Sequence, residues 1–472
     1  MKEVLGRFKL GSPSNSFESV ENILKKECPR CSSTKIIKKS KNNIGLTIFV
    51  CKECGRKFNI LSHTPLEKTK YEWNVWVSIL EQMLKNQSIE KILAHLKASN
   101  IVDDINYSTV SMMEHKLRNS FIDFPLPNLK GVVQCDEKHF KESQKGFKNP
   151  IDVLDQNGVK RRKGRKRSVA SIYGTMGPEF STICCALDSD GHSIAKVLTM
   201  GRMELESFED EIASHFKDVT FICSDMNPIY TQYASIYKVP QYVCNSEYHK
   251  VIKKCTTKAQ RVAAYEQNKL DYVVGAGIMH YDKMINFRKT NKLTINGING
   301  YHAELERYIN HIAKGVSTKH LQAWVSFFNY RNNFRIDNGH SPSSYIDAER
   351  ILIEILKLRN PIKVGDVKYK KDLTKKNTKR YTQKFITATV AARKKSNNPY
   401  LKFTEEDGIW VVDKRKSLTL LPEYKRRKLA KELGIRPFSP TSISSADLKK
   451  KLLEIPNLED SLYILANGGL ED

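Results

Sequence analysis

Four cysteines and two aspartates are the residues of this chain whose types and spacing could do chemistry. Cys28-Pro-Arg-Cys31 and Cys51-Lys-Glu-Cys54 are two C-x-x-C knuckles with nineteen residues between them. Each knuckle lets a tight turn offer two thiolates to one ion. Four thiolates close a tetrahedral Zn²⁺ site and leave no open position, so this zinc is structural. It holds a domain too small to bury enough apolar surface alone. Asp136 ends the apolar run Val132-Val-Gln-Cys, and Asp225 ends Val219-Thr-Phe-Ile-Cys-Ser. If those runs are neighbouring strands, the two acids share one sheet edge. There they can bridge two Mg²⁺ or Mn²⁺ ions about 4 Å apart and serve an in-line phosphodiester displacement. Strand-end acids are also common turn residues, and spacing alone leaves both readings open.

The elements that must position these groups follow from periodicity. Ile36-Ile37 and Leu46–Val50 suit the strands of a zinc ribbon. Trp73, Trp76, Val77, Leu80 and Leu84 repeat at helical spacing, and Ile89–Leu96 and Thr109–Leu117 are two more amphipathic pieces, with Ser108-Thr109 as a helix start. Three short helices with a polar third fit a helix-turn-helix, or an ordinary helical linker. Beyond residue 131 the pattern turns to strands at Val132–Asp136, Arg167–Tyr173 and Ser181–Leu187, then a helix over Glu204–Phe216, then a strand at Val219–Asp225. Three strands, a helix, a fourth strand and further helices is the order of an RNase H-like domain.

Charge narrows the partner. The 472 residues carry 79 Lys+Arg against 52 Asp+Glu, a formal net charge of +27. A polyanion is the natural partner, and nucleic acid the best candidate. Lys160, Arg161, Arg162, Lys163, Arg165, Lys166 and Arg167 form a run with seven cations in eight residues. Such a loop neutralises phosphates and gives salt-sensitive affinity without sequence preference. A 40% hydrophobic content excludes wholesale disorder. No apolar run of about 18 residues and no signal-peptide core is evident, which argues against a membrane span and secretion. Of the ten cysteines, the six outside the knuckles are scattered through apolar stretches with no disulfide framework, which suits a reducing compartment.

Several segments, in the same order, resemble the zinc-ribbon transposases of bacterial insertion sequences, the ISXO-type group. Gly131-Val-Val-Gln-Cys-Asp-Glu-Lys-His-Phe-Lys-Glu-Ser-Gln-Lys-Gly146 is similar to the first acidic motif of that group. Ala186-Leu-Asp-Ser-Asp-Gly191 and Cys223-Ser-Asp-Met-Asn-Pro-Ile-Tyr230, the second acidic motif, follow. Ile295-Asn-Gly-Ile-Asn-Gly-Tyr-His-Ala-Glu-Leu-Glu306 and Gly315-Val-Ser-Thr-Lys-His-Leu321 complete the set. The resemblance runs from about residue 25 to about residue 335. It implies that Asp136 and Asp225 are the first two metal ligands and that Asn299 is the third. An Asn carbonyl ligates a hard cation but brings no charge. The group's Lys, seven residues further on, is Glu306 here. Seven residues bring Glu306 back to nearly the face of Asn299. Glu306 either restores the missing carboxylate, marks a site that no longer cuts, or is a solvated helix acid. His302, one turn from Asn299, matches the group's His, either as a phosphate or metal-shell contact or as a packed core histidine.

The expected organisation is α/β. A zinc ribbon spans 1–66, a helical, helix-turn-helix-like DNA-binding module 67–125, and an RNase H-like catalytic domain 126–347. A basic linker spans 348–415, and a helical C-terminal extension 416–472. Within that extension, two short helices between Leu420 and Ile455 resemble a SAP-like hairpin, with Gly434 as a C-cap and Ser444 or Ser445 as an N-cap. The resemblance implies a DNA transposase that binds the element's terminal repeats, cuts the 3′ strands and joins them to target DNA. It also implies a dimer or larger on double-stranded DNA, structural Zn²⁺ and catalytic Mg²⁺ or Mn²⁺. The expected location is the bacterial cytoplasm and nucleoid, or the nucleus in a eukaryotic host. The alternative is a transposase-derived DNA-binding protein without catalysis.

Overall fold

The computed structural model describes residues 26–143, 180–244, 250–268, 271–273, 279–368, 403–406, 409–435 and 443–455, with isolated positions between 17 and 24 and at 458 and 462. The cationic run Lys160–Arg167, the expected strand Arg167–Tyr173 and most of the basic linker lie outside the described residues.

The N-terminal sheet consists of β1 (Ile36–Lys41), β2 (Thr47–Cys51) and β3 (Lys57–Phe58), in the order β1-β2-β3 and antiparallel throughout. Alternation in β2 buries Thr47, Phe49 and Cys51 on one face. Three helices follow: α1 (Trp73–Leu84), α2 (Ile89–Ala98) and α3 (Tyr107–Ser120). The start of α3 lies two residues before the expected one. Asn106 caps it, its side-chain oxygen accepting from the Thr109 amide at 2.9 Å.

The central sheet has six strands: β4 (Leu129–Lys141), β5 (Phe180–Leu187), β6 (Ser193–Met200), β7 (Phe216–Ser224), β8 (Gln241–Cys244) and β9 (Asp271–Val273). Their order is β6-β5-β4-β7-β8-β9. β4, β5 and β6 form an antiparallel meander, β7 and β8 run parallel to β4, and β9 is antiparallel to β8. Strand β6 was not expected. The expected helix over 204–216 is shorter. It comprises α4 (Leu205–Glu211) and a 3₁₀ turn at Ala213–His215, and β7 already begins at Phe216.

Both faces of this sheet are covered, and β5 is buried along all but its last residue. Leu129, Val133, Cys135, Cys184, Ala186, Phe208 and Tyr230 pack on one face, together with α4 and α5 (Pro228–Tyr237). Ile183, Cys185, Ala195 and Val197 lie on the other face. They belong to a core that continues without a break through the ribbon, α1–α3 and the later helices.

The later elements are α6 (Lys258–Asn268), α7 (Tyr281–Thr290), α8 (Asn296–Arg307), a π-helical turn at Tyr308–Ile312, α9 (Leu321–Asn338), α10 (Tyr345–Lys357) and α11 (Val364–Lys368). A capping box between Ser344 and Asp347 starts α10. The buried indole Nε1 of Trp73 in α1 donates to Glu349 of α10 at 2.9 Å. Beyond a hairpin of β10 (Phe403–Glu406) and β11 (Ile409–Val412), α12 (Lys414–Leu420) precedes the two short helices expected between Leu420 and Ile455, α13 (Glu423–Glu432) and α14 (Ser445–Leu453). Leu418, Leu429, Leu448 and Leu452 close a small core of their own. The expected caps fit: Gly434 has φ +72° and the Ser444 hydroxyl accepts from the Asp447 amide. Among the described residues, no helix is long and apolar enough to cross a membrane.

Candidate active site

The four cysteines of the ribbon converge. Cys28 Sγ lies 3.5 Å from Cys54 Sγ, Cys31 Sγ 3.5 Å from Cys51 Sγ, and Cys31 Sγ 3.6 Å from Cys54 Sγ. Sulfurs bound tetrahedrally at about 2.3 Å from Zn²⁺ stand about 3.8 Å apart, so this donor set fits the ion. Burial opposes charge on Cys28, yet amides of Arg30 and Cys31 and the neighbouring thiols bring it down to about 6. Amides of Cys54 and Glu53 also lower Cys51. The folded loop thus favours thiolate, the form a metal needs, at Cys28 and Cys51, while, against the Ser33 amide, burial and the neighbouring thiols push Cys31 up to about 12.

A second group lies where β7 ends beside the middle of β4; Asp225 follows the end of its strand as expected, whereas Asp136 lies within its own. Parallel pairing aligns Cys135 with Ser224, so the next residues, Asp136 and Asp225, stand side by side. β7 stops there while β4 runs on to Lys141, leaving an open sheet edge at the point where the strand order reverses direction. Open α/β sheets bind ligands at such edges. Carboxylate oxygens of Asp136, Glu137 and Asp225 lie within 4.8 Å of one another. Three hard oxygen donors at this spacing suit a Mg²⁺- or Mn²⁺-type cation.

Glu137 is the member that sequence reasoning missed. Strand alternation turns it to the sheet face opposite Asp136. It nevertheless joins the group, its carboxylate lying within 4.8 Å of those of Asp136 and Asp225. Asn227 caps α5, accepting from the Ile229 amide at 3.1 Å, and its Nδ2 donates to Glu137 Oε1 at 3.0 Å. The Asn227 amide donates to Asp225 Oδ1 at 2.9 Å, so one residue ties both acids to the helix start. Burial pushes Glu137 up to about 7, and Asp225 and Asp136 add to this, against the hydrogen bonds from Tyr230 and Asn227. Burial also raises Asp225, helped by Asp136. The legible signal was the tandem Asp136-Glu137 opposite Asp225-Met-Asn-Pro228, an N-cap with proline at the first helical position.

Helix α8 covers the other side. Its first turn lies so close to β4 and β5 that a Cβ on Gly297 would come within 3.0 Å of Gln134 and Leu187. The Ile298 amide donates to Gln134 Oε1 at 3.0 Å. From this seat the buried His302 puts Nδ1 3.4 Å from Asp136 Oδ2, and its buried Nε2 has no partner among the described residues. Asn299 is exposed on the same helix, one turn earlier. Glu306 does not enter the acid group. Its Oε2 accepts from Lys138 Nζ at 2.6 Å, two residues beyond Asp136 on β4. The far end of α8 is held by Arg118 of α3. Its guanidinium pairs with Glu114, donates to Tyr308 Oη at 2.8 Å and lies 3.6 Å over the Trp324 ring.

The chain is therefore a mixed α/β protein with a group of four cysteines able to hold zinc and an acidic triad able to hold a hard cation. Over 120 residues it is 27% identical to an uncharacterized protein in transposable element ISH50 of Halobacterium salinarum. The match covers 25% of this chain and 38% of that protein, so the chain spans little more than a third of that relative's length. No family model matches.

Proposed function

We propose that this chain is a DNA transposase of RNase H-like fold that cuts 3′ strands and joins the freed ends to target DNA. The carrying observation is the meeting of Asp136, Glu137 and Asp225 within 4.8 Å where β7 ends beside its parallel neighbour β4. An antiparallel three-strand meander followed by parallel strands added beside the first is the strand order of RNase H-like domains, and it supports that fold. Similarity to a protein carried by a transposable element supports the class of substrate.

Both reactions are in-line displacements at phosphorus. In the first, water attacks a phosphodiester and the 3′-oxygen leaves. In the second, that 3′-hydroxyl attacks a target phosphodiester and loses its proton, and the target's own 3′-oxygen leaves. Divalent cations, when bound, activate the attacking oxygen and stabilise the leaving one. Asp136 and Asp225 would hold them, Glu137 would add a third carboxylate, and Asn299 would offer a neutral carbonyl oxygen. His302 orients Asp136 from α8. The ribbon with its zinc, the helical module and the Lys160–Arg167 run bind DNA, and engagement of two element ends calls for at least two copies of the chain.

The test is to incubate the purified protein with the DNA flanking its own gene and Mg²⁺ or Mn²⁺, scoring nicked and joined products. Joined products that disappear in Asp225→Asn are expected. DNA that is bound but left intact would contradict catalysis and favour the non-cutting alternative, in which Glu306 stays paired with Lys138 and does not complete the site.

A further inference from the structure

A cleft of about 270 Å³ opens on the side of α8 turned away from the acids. Glu304 and Arg307, which line it, lie roughly 200° and 140° around the helix from His302. Arg331, Asn332 and Arg335 line it from α9, and Asn86 reaches it from the turn between α1 and α2. Three guanidinium groups thus face a single carboxylate, that of Glu304. Arg307 and Arg335 are exposed and, among the described residues, make no ion pair. Arg335 donates to Asn332 at 3.0 Å, which aims its fork along the cleft wall. Arg331 is held by a 2.7 Å bond to Asn86, yet its buried Nε–H has no acceptor among the described residues. Burial and the nearby Arg118 guanidinium both work against its charge. A buried donor without a partner is costly, and a guanidinium answers best to a planar or tetrahedral anion that takes two hydrogen bonds at once.

We propose that this cleft holds a backbone phosphate of bound duplex DNA, at a contact separate from the acid cluster. The proposal rests on the transposase reading for the identity of the polyanion, but its chemistry is that of the arginines alone. The cleft joins the helical module to the helix that covers the acids. A phosphate seated there would fix the duplex relative to α8 while another stretch of it lies at the sheet edge.

The experiment measures binding of a short duplex, without added Mg²⁺ or Mn²⁺ and with zinc retained, as a function of salt. The proteins compared are the wild type, Arg307→Gln/Arg335→Gln, and a control pair, Lys357→Gln/Lys363→Gln, on exposed positions elsewhere. The arginine pair is expected to lower the slope of log affinity against log salt by about 1 for a shared phosphate, or about 2 for two. The lysine pair is expected to leave it unchanged. An unchanged slope in the arginine pair would overturn the cleft while leaving the transposase reading intact. A wild type that ignores duplex but takes inorganic phosphate, with loss of that binding in the arginine pair, would overturn the DNA backbone as occupant and the transposase reading with it. Binding of neither would overturn both.

Discussion

The Asn227 side-chain amide donates to Glu137 across 3.0 Å while its backbone amide donates to Asp225, so the start of α5 braces two acids from different strands. Glu137 is pushed up to about 7 in the fold, chiefly by burial. An unfolded glutamate titrates near 4.3, so folding takes up a proton between those values. The stability this group contributes is greatest below about pH 4 and declines as pH rises to about 7. At 1.36 kcal/mol per pH unit the decline is on the order of 3 kcal/mol. Glu137→Gln removes it. Denaturant unfolding without added divalent cation at pH 5 and pH 8 should show the variant gaining on the wild type at the higher pH. The same variant should bind Mn²⁺ about 10- to 100-fold more weakly, as read by electron paramagnetic resonance. A wild type and variant with parallel pH profiles would remove Glu137 from the cluster.

Glu306 is half-exposed and paired with Lys138. Pairs of this kind contribute about 0–1 kcal/mol. Glu306→Gln is therefore expected to leave thermal stability nearly unchanged and to keep metal-dependent cleavage within about threefold. A tenfold or greater loss of cleavage with Mn²⁺ affinity lowered in parallel would instead make Glu306 the compensating carboxylate for Asn299.

The ribbon cysteines make a separate prediction. Zinc content measured by atomic emission should be one ion per chain and fall to near zero in Cys28→Ser or Cys54→Ser. Phe49 and Phe58 of the ribbon belong to the same core as Trp73 and Ile351. Loss of zinc should therefore lower the melting temperature of the whole unit, and not merely release a tail. A chelator that strips the metal without moving the transition would contradict this.

Arg118 and Glu114 form a buried pair, further enclosed by Tyr308 and Trp324. Removing one partner strands the other charge, at a cost of about 3–5 kcal/mol. Arg118→Ala should show that loss in urea unfolding. A loss under about 1 kcal/mol would mean that the pair does not hold α8.

What the sequence revealed depended on whether the signal was local. The knuckles were legible because the ligand spacing is itself the motif. Asp136 and Asp225 were legible because apolar runs end at each. Ser193–Met200 was missed because Lys196 sits in its middle and the run Ser-Ile-Ala-Lys-Val-Leu-Thr-Met shows no clear period of two. Glu137 was missed because period-2 logic sends it to the wrong face. Only the tertiary placement of α5, through Asn227 and Tyr230, turns that face into the site. The partner of Glu306 was equally invisible, since 168 residues separate it from Lys138.

If Asp136 binds a metal ion used in DNA strand cleavage, Asp136→Cys should change which metal ion supports the reaction. Thiolate is a poor ligand for Mg²⁺ and a better one for softer Mn²⁺. Strand cleavage and joining on the gene's flanking DNA should be lost in Mg²⁺ and substantially restored in Mn²⁺, while the wild type works in both. Equal activity of the variant in Mg²⁺, or no rescue by Mn²⁺ in a variant that still folds and binds DNA, would contradict the account.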